Sequence, residues 1–309
     1  MNIGHINGKT RGVYAISPTP FEDNGEIDGA STDSLLDYYV ESGVDGLTIL
    51  GVLGEATKLS PEESRGFMNR VLKRIGDKRP IVVGVSNPGT DNLVRFSREA
   101  MDAGAAGVMI APIQGLKTDD QVYNYWATVL ERLGPKIPVC YQDYPQTTTV
   151  VTSVSVFNRL VGAFENLVML KHEESPGLPK ITAVRAAEDK GQRRVSILIG
   201  NGGLHLPQEL RRGADGAMTG FAYPEMLVEV CRKFHAGDAD GAEDVFDIYL
   251  PLLRHEQQLG FGLAIRKEVL RRRGIIKHAA MRHPSPKMTS VDHKELDELM
   301  ARLERKLGK

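Results

Sequence analysis

Eight short runs rich in branched aliphatic residues recur along this chain of 309 residues, and a longer segment with helical periodicity follows each one. Short apolar runs predict buried strands, and strands that alternate with helices predict a parallel sheet. Parallel strands need crossover connections of a dozen residues or more, and most segments between the runs are long enough. The predicted strands are Gly12–Ser17, Gly46–Leu50, Ile81–Val85, Gly107–Ala111, Ile137–Gln142, Leu167–Lys171, Ser196–Gly200 and Gly216–Thr219.

This alternation predicts an α/β fold in which the sheet closes on itself as a (β/α)8 TIM barrel. An open, doubly wound sheet is the competing architecture. The stretches 102–108 and 213–218 each combine a glycine that ends a helix with a tight entry into a strand, and this recurrence favours the barrel. The clearest helix start is at Ser60, which precedes Pro61 and has Glu63 three residues further on.

The pattern changes after about residue 224, where helices follow one another without strands between them. We expect these helices at about 225–236, 240–258, 262–273 and 291–307. Residues 1–223 are therefore predicted to form the barrel. Residues 224–309 are predicted to form its last helix and a C-terminal helical extension that packs on it.

Charge and cysteine content argue against several classes of protein. The 39 basic and 40 acidic residues leave a net charge of −1 and are spread along the chain, so we expect no nucleic-acid partner and no membrane partner. No apolar stretch approaches the roughly 18 residues of a membrane helix, and we expect no signal peptide. Cys140 and Cys231 lack metal-site spacing and are expected to be reduced thiols, which fits a cytoplasmic protein.

A lysine ends the sixth apolar run. Lys171 follows Leu167–Leu170 and precedes the polar stretch 172–177, so we expect it at the carboxyl end of a buried strand, where barrel enzymes carry their active sites. Apolar surroundings disfavour an ammonium ion and leave an amine that can condense with a ketone. The alternative is a strand-end lysine that lifts its charge into water over an apolar stem.

Other strand ends offer candidate binding residues. The turn after the second strand consists of Gly51, Val52, Leu53 and Gly54. Its two glycines let backbone N–H groups face an anion such as a carboxylate, although the same pattern also serves a turn with no binding role. Gly200, after the seventh strand, and Met218, in the eighth, are further candidates for substrate contacts.

The fifth strand ends in Tyr141 and Gln142. A phenol or an amide at this position can orient a substrate oxygen or pass a proton to it, but Tyr141 can equally be a core aromatic with a local hydrogen bond. Asp143 is interpreted as a turn residue. Three polar residues follow Lys171 and are interpreted as solvated charges rather than as catalysts: His172, Glu173 and Glu174.

Three motifs in this order resemble the dihydrodipicolinate synthase / N-acetylneuraminate lyase family. They are Gly-x-x-Gly-Glu at 51–55, a tyrosine-containing stretch that ends in Pro145, and the lysine that ends the sixth strand. The resemblance extends from about Gly12 through the C-terminal helices. It implies that Lys171 forms a Schiff base with the substrate and that the protein is a homo-oligomer, a dimer or a tetramer. A covalent imine already supplies an electrophile, so we expect no metal and no cofactor.

The chain departs from the family pattern at several positions. Synthases of the family place two threonines where this chain has Val52 and Leu53, and a tyrosine where it has Gln142, with Tyr141 one residue early. The arginine that synthases place two residues past the proline of the second motif is Thr147 here. With these differences the chain resembles more closely the branch of the family that dehydrates 2-keto-3-deoxy sugar acids.

The resemblance therefore implies a lyase that acts on pyruvate or on a 2-keto-3-deoxy sugar acid through an enamine on Lys171. The enamine expels water or exchanges a carbon–carbon bond with an aldehyde. Residues 51–54 are expected to hold the carboxylate, and Tyr141 or Gln142 to orient the ketone oxygen. Two alternatives stay open: a dihydrodipicolinate synthase (pyruvate plus aspartate semialdehyde) with an altered proton relay, and a catalytically silent barrel that binds a keto acid.

Overall fold

The computed structural model describes residues 4–308, in which eight parallel strands close into a barrel. Each strand is rich in apolar residues because its inner face lines the barrel interior and its outer face is covered by helices. The strands are β1 Gly12–Ile16, β2 Gly46–Ile49, β3 Ile81–Gly84, β4 Gly107–Ile110, β5 Val139–Asp143, β6 Leu167–His172, β7 Ser196–Ile199 and β8 Gly216–Thr219.

Strand order follows chain order, and the barrel closes between the first strand and the last. Gly12 of β1 lies opposite Gly216 of β8, and a β-carbon on Gly216 would stand 2.0 Å from the Gly12 carbonyl oxygen. Gly216 also has a φ of 154°, so only glycine fits at this closure point. The predicted (β/α)8 barrel is confirmed, and the open doubly wound sheet is wrong.

Helices form most connections and continue past β8. They are α1 Gly29–Glu41, α2 Pro61–Ile75, α3 Thr90–Asp102, α4 Asp119–Leu133, α5 Pro145–Thr148, α6 Val154–Ala163, α7 Leu178–Glu188, α8 Leu206–Arg211, α9 Pro224–His235, α10 Ala239–Glu256, α11 Gly262–Arg272 and α12 Ser290–Lys306. The last four begin and end within two residues of their predicted bounds. Within residues 4–308, no helix has both the length and the apolar character needed to cross a membrane.

Two apolar layers stabilise the barrel. Met109, Cys140 and Met218 belong to the layer inside it, whereas Trp126 and Tyr141 belong to the larger layer between strands and helices. Successive residues of a strand point to opposite faces, which is why the neighbours Cys140 and Tyr141 lie in different layers. Each large apolar side chain that is fully buried contributes about 1.5–3 kcal/mol.

The predicted start of α2 is confirmed. Ser60 Oγ accepts a hydrogen bond from the Glu63 N–H at 3.1 Å, the Glu63 carboxylate accepts one from the Ser60 N–H at 2.8 Å, and Pro61 is the first helical residue. Arg282 also donates to this carboxylate and lowers the pKa of Glu63 to about 2. The cap of α2 therefore also attaches the C-terminal segment to the barrel.

A buried lysine fixes α11 over the carboxyl end of the barrel. Lys267 Nζ donates to the carbonyl oxygens of Thr19 and Ala280, both at 2.8 Å, and to the Glu55 carboxylate at 2.7 Å. Burial lowers the pKa of Lys267 to about 8, although the charge of Glu55 opposes this shift. Three separate parts of the chain thus meet at one amine.

Candidate active site

Lys171 lies at the carboxyl end of β6, in register with Gln142 of β5 and Leu198 of β7. Met169, two residues earlier, belongs to the barrel interior, and the side chain of Lys171 points the same way because strand residues alternate. Lys171 is 4% exposed, so its amine is not lifted into solvent. The lysine therefore lies inside the carboxyl-terminal opening of the barrel.

A buried carboxylate holds this amine. Glu173 Oε2 lies 2.9 Å from Lys171 Nζ and accepts a hydrogen bond from Gln142 Nε2 at 2.8 Å. Gln142 and Glu173 are buried together with the lysine. The two groups form a buried ion pair, and the carboxylate lies within hydrogen-bonding distance of the amine.

A glycine makes room for this carboxylate. Gly200 follows β7, and a β-carbon on it would stand 2.0 Å from Glu173 Cγ. Asn201 Nδ2 donates to the Glu173 carbonyl oxygen at 2.8 Å, and the Glu173 N–H donates to the Asp143 carbonyl oxygen at 2.9 Å. Gly200, predicted as a substrate contact, lines the cavity described below and also leaves the space that Glu173 occupies.

The interpretation of Glu173 as a solvated charge is wrong, because this residue is only 6% exposed. The sequence did contain a signal. β6 extends to His172, one residue further than predicted, and an extended chain places Lys171 and Glu173, two residues apart, on the same side. The alternation of side chains along an extended strand therefore predicts that Glu173 lies beside Lys171.

The neighbours of Glu173 point away from the amine. His172 is buried, and its Nε2 lies 3.0 Å from the Gly177 carbonyl oxygen. Lys180 Nζ lies 2.7 Å from Asp143 Oδ2 and 3.0 Å from Glu174 Oε2. The interpretations of His172 as a solvated charge and of Asp143 as only a turn residue are therefore wrong, since both pack outside the barrel around Lys180 and the loop that follows β6.

Tyr141 does not face the site, which corrects one prediction. Its ring stacks on Trp126 with ring centroids 4.0 Å apart, packs edge-on against Phe157, and its hydroxyl bonds to Thr152. The phenol lies in the layer between strands and helices because Gln142, the next residue, occupies the inward position. Of the two candidates on β5, only Gln142 lies beside Lys171.

Tyr144, which was not predicted as a site residue, places a different phenol at the site. This residue is partly exposed and lines the cavity above the strand ends. Burial raises the pKa of the Tyr144 hydroxyl, and the charge of Glu173 raises it further. The phenol is therefore protonated at neutral pH and can donate a hydrogen bond to a bound molecule.

The turn after β2 lies on the cavity wall. Val52 is 49% exposed and, like Leu53, lines the cavity, so the side chains offered there are apolar. The N–H of Gly54 donates to the Gly51 carbonyl oxygen at 3.0 Å, and the Gly54 carbonyl oxygen accepts from Thr19 Oγ1 at 2.7 Å. Gly54 therefore serves the turn itself, which corrects its prediction as a substrate contact.

Met218 was predicted to contact substrate, but it lies below the site. It is fully buried inside the barrel, with its sulfur 3.8 Å from Cys140 Sγ. Both cysteines are free and buried, and burial raises the pKa of the Cys140 and Cys231 thiols to about 12. Met218 and Cys140 thus form an unreactive floor beneath Lys171.

A cavity of about 930 Å³ opens above the strand ends. Its walls include Leu53 after β2, Tyr144 after β5, Gly200 after β7, and Glu256 and Arg266 from α10 and α11. This volume falls in the range of small-molecule sites. The C-terminal extension thus contributes one wall of the site.

Arg266 and Glu256 form a buried pair in that wall. Glu256 Oε1 lies 2.5 Å from Arg266 Nε, and Glu256 Oε2 accepts from the Ala222 N–H at 3.1 Å. Burial raises the pKa of Glu256, while the charge of Arg266 opposes this shift. Arg266 is 2% exposed, and its Nη1 has no hydrogen-bond partner within the described part of the chain. No local sequence pattern marks this pair.

Comparison with known proteins identifies relatives over nearly the whole chain. The model of the dihydrodipicolinate synthetase family matches residues 9–306. A crystal structure of dihydrodipicolinate synthase from Rhodopseudomonas palustris, 46% identical in sequence, superposes with a TM-score of 0.94 and covers 97% of this chain and 100% of that chain.

Two curated relatives carry different activities in their names. The L-2-keto-3-deoxyarabonate dehydratase of Azospirillum brasilense is 28% identical over 305 residues, which are 95% of this chain and 94% of that protein. The 4-hydroxy-tetrahydrodipicolinate synthase of Sorangium cellulosum is 30% identical over 235 residues, which are 75% of this chain and 76% of that protein. Taken with the match to residues 9–306 and the barrel with its strand-end lysine, these relatives show that the chain belongs to the dihydrodipicolinate synthetase family of lyases.

Proposed function

We propose that the protein is a dehydratase of 2-keto-3-deoxy sugar acids that works through an imine between Lys171 and the keto carbon. One observation carries the proposal: the buried amine of Lys171 shares the carboxylate of Glu173 with the amide of Gln142. A nucleophile, an acid–base group and a residue that orients it thereby lie within hydrogen-bonding distance.

The reaction begins with a proton transfer inside the buried pair. Glu173 accepts a proton from the Lys171 ammonium group, and the neutral amine attacks C2 of the substrate. The C2 oxygen takes up one proton from Glu173 and one from the attacking nitrogen and leaves as water, so a protonated imine remains. The protonated imine accepts the electrons of the C3–H bond when the proton leaves, and thereby acidifies the C3 hydrogen.

Elimination then uses the same carboxylate. Glu173 takes the C3 proton, the resulting enamine expels the hydroxyl from C4, and the proton returns to that hydroxyl as it leaves as water. Hydrolysis of the unsaturated imine consumes one water, releases the keto acid and restores Lys171. Gln142 holds Glu173 through its amide, and Tyr144 is a protonated donor available to the departing oxygen.

The binding of the substrate carboxylate stays a prediction. The backbone N–H groups of Val52 and Leu53, at the start of the turn after β2, are the candidate donors. The protonated imine supplies the electrophile, so the proposed reaction needs neither metal nor cofactor. A homo-oligomer and a cytoplasmic location, both expected from the sequence, belong to this proposal as well.

Dehydration is preferred over condensation on two grounds. The A. brasilense dehydratase aligns over 95% of this chain, and the β5 side chain that binds Glu173, the partner of Lys171, is the amide of Gln142 rather than the phenol of Tyr141. The second candidate is a synthase that condenses pyruvate with aspartate semialdehyde, which the similarity to the R. palustris structure favours. Assays of water loss from 2-keto-3-deoxy acids and of this condensation separate the two.

The first test is borohydride trapping. Incubation with pyruvate and borohydride is expected to add one reduced pyruvyl group to Lys171, located by peptide mapping. Lys180, an equally buried lysine nine residues further on, is the internal control and is expected to stay unmodified because it faces outward to Asp143. An adduct on Lys180 alone, or turnover retained by Lys171→Ala, would refute the mechanism.

If no keto acid is trapped, the alternative is a catalytically silent barrel. Such a protein would bind a keto acid without chemistry, so the ligand would raise its unfolding temperature while no substrate is consumed. Thermal unfolding of the wild type with and without pyruvate, measured beside the assay for water loss, distinguishes this outcome from the proposed reaction.

A further inference from the structure

The cavity at the strand ends is bounded by Gly200, which packs against Glu173, the partner of Lys171, and it is much larger than a three-carbon acid. At about 930 Å³ it has the size of sites that hold whole drug-sized molecules. Part of its wall comes from the end of α10, the start of α11 and the loop that joins them, including Glu256, Gln257 and Arg266. A substrate attached to Lys171 that extends towards this segment would therefore carry more than three carbons.

Two buried donors in this wall lack partners. Arg266 Nη1 and Gln257 Nε2 make no hydrogen bond to any residue in the described range 4–308. Both side chains line the cavity, and Arg266 is 2% exposed. An unsatisfied buried donor is costly, most of all on a charged group, so each of these atoms favours a ligand that brings an acceptor.

Glycines at two strand ends leave the space for these donors. A β-carbon on Gly220, directly after β8, would stand 2.1 Å from Arg266 Nη1 and 3.1 Å from Leu53 Cδ1. A β-carbon on Gly202, after β7, would stand 2.3 Å from Gln257 Nε2. The two donors therefore lie against the backbone at the carboxyl ends of β8 and β7, inside the opening of the barrel.

The charge of Arg266 is already balanced. Glu256 binds Nε of Arg266 through Oε1 and uses Oε2 for the Ala222 N–H. The wall therefore presents N–H donors without a net positive charge, which suits neutral oxygen acceptors such as hydroxyl groups. Tyr144 also lines the cavity and adds a hydroxyl to its polar lining, and burial and the charge of Glu173 raise the pKa of this hydroxyl while the charge of Arg266 lowers it.

We propose that Arg266 and Gln257 form a subsite for the hydroxyl-bearing tail of the substrate and select five- or six-carbon hydroxylated 2-keto acids over pyruvate. The keto end is bound at Lys171, and the tail extends towards the α10–α11 segment. Arg266 Nη1 and Gln257 Nε2 donate to its hydroxyl oxygens. This inference rests on the proposed imine chemistry for the position of the keto end only.

The test is a competition experiment on the full chain. Borohydride traps pyruvate on Lys171 while a second keto acid blocks that adduct, and the concentration that halves the adduct is measured. The two competitors are 2-keto-3-deoxyarabonate and 2-ketovalerate, which have five carbons each but differ in hydroxyl groups. In wild type the hydroxylated acid is expected to halve the adduct at a concentration roughly tenfold to a hundredfold lower than 2-ketovalerate, because a hydrogen bond to a charged donor typically contributes that much affinity.

Three variants remove the subsite by different routes. Arg266→Gln and Gln257→Leu delete the donors, and Gly220→Ala displaces Arg266 Nη1 while it keeps the charge pair with Glu256. Each is expected to lose most of the preference for the hydroxylated acid, with little change for 2-ketovalerate or for pyruvate itself. Arg271→Gln, on the same helix but paired with Glu268 outside the cavity, is the matched control and is expected to keep the preference.

Folding is checked by thermal unfolding, because Arg266→Gln leaves Glu256 buried without its partner. If that variant does not fold, Gln257→Leu and Gly220→Ala still test the subsite. The subsite would be overturned if wild type bound both acids equally well. It would also be overturned if the variants kept the preference for the hydroxylated acid. If wild type forms no pyruvyl adduct, the imine chemistry fails separately. In that case the unfolding temperature is measured with each of the two acids. The subsite is supported only if the hydroxylated acid raises it more in wild type and this difference is lost in Gly220→Ala.

Discussion

Gly200 and Glu173 are so close that a β-carbon on Gly200 would stand 2.0 Å from Glu173 Cγ. Gly200 has a φ of −93° and a ψ of −145°, so its φ does not demand glycine, whereas the collision with Glu173 opposes any side chain at this position. The glycine thus determines whether the carboxylate can reach Lys171.

Gly200→Ala is expected to reduce kcat by about a hundredfold, because the displaced carboxylate no longer serves as acid–base group. The free energy of unfolding is expected to fall by about 1–3 kcal/mol, as for other overpacked sites. Gly66→Ala is the matched control: no atom lies near its new methyl group, it sits in α2, and it should add about 0.5–1 kcal/mol of stability without changing kcat. Full activity in Gly200→Ala would show that Glu173 is not needed where it lies.

Glu173→Gln is expected to slow both imine formation and proton transfer at C3, because the proposed mechanism uses the carboxylate in each step. The amide keeps the size of the carboxylate but cannot take a proton, so exchange of the pyruvate methyl hydrogens in D₂O should slow by about 10²–10⁴-fold. Proton NMR of pyruvate measures this exchange, and borohydride trapping on the same samples measures the imine. The assignment fails if exchange in Glu173→Gln proceeds at the wild-type rate.

Tyr141 and Tyr144 are expected to respond in opposite ways to loss of their hydroxyls. Tyr141→Phe removes the hydrogen bond to Thr152 and should destabilise the fold by about 1 kcal/mol while kcat is unchanged. Tyr144→Phe should lower kcat by roughly tenfold or more and leave the unfolding temperature nearly unchanged. Thermal unfolding and steady-state kinetics on both variants check this, and a reversed pattern would contradict the placement of the two phenols.

Glu209 is expected to make stability depend on pH. Burial raises the pKa of this carboxyl from 4.5 to about 8, and its Oε2 has no partner in the described residues. The folded state therefore keeps the proton after the unfolded state has lost it. The resulting stability is fully present below pH 4.5, falls by roughly 1.4 kcal/mol per pH unit above it, and is lost once the pH passes about 8.

Glu209→Gln removes this titration. Chemical denaturation at pH 6 and pH 8 is expected to show a smaller loss of stability in the variant than in wild type. The comparison between the two proteins cancels the contribution of all other groups. Parallel losses in both would mean that Glu209 is ionised in the folded protein.

The fold could be predicted because its signals are local. Apolar runs of four to six residues, helices between them, and the cap at Ser60 depend on neighbouring residues only. Lys171 could be placed for the same reason, since it ends a run of that kind. The period of two along β6 also placed Glu173 beside it, but reading the polar stretch as a loop hid that relationship.

The remaining site residues depend on tertiary contacts. Whether Tyr141 or Gln142 faces inward depends on how β5 lies against β6, where Gln142 pairs with Lys171, and no local pattern reveals it. Arg266 lies 95 residues after Lys171 on a helix whose sequence is mostly buried and charged. Its partner and its free donor follow from how α10 and α11 pack on the barrel, which the sequence of either helix alone does not specify.

The buried amine of Lys267 joins α11 to Thr19 and Glu55, so the wall that contains Arg266 is attached to loops of the first two barrel units. In the proposed function, imine chemistry and recognition of the substrate tail therefore depend on different stretches of the sequence. Substitutions in residues 256–266 can diversify the range of accepted substrates while the strands that carry Lys171 and Gln142 stay the same. Exchanging residues 256–266 between relatives is therefore a small set of changes with which to alter the length of substrate that the enzyme accepts.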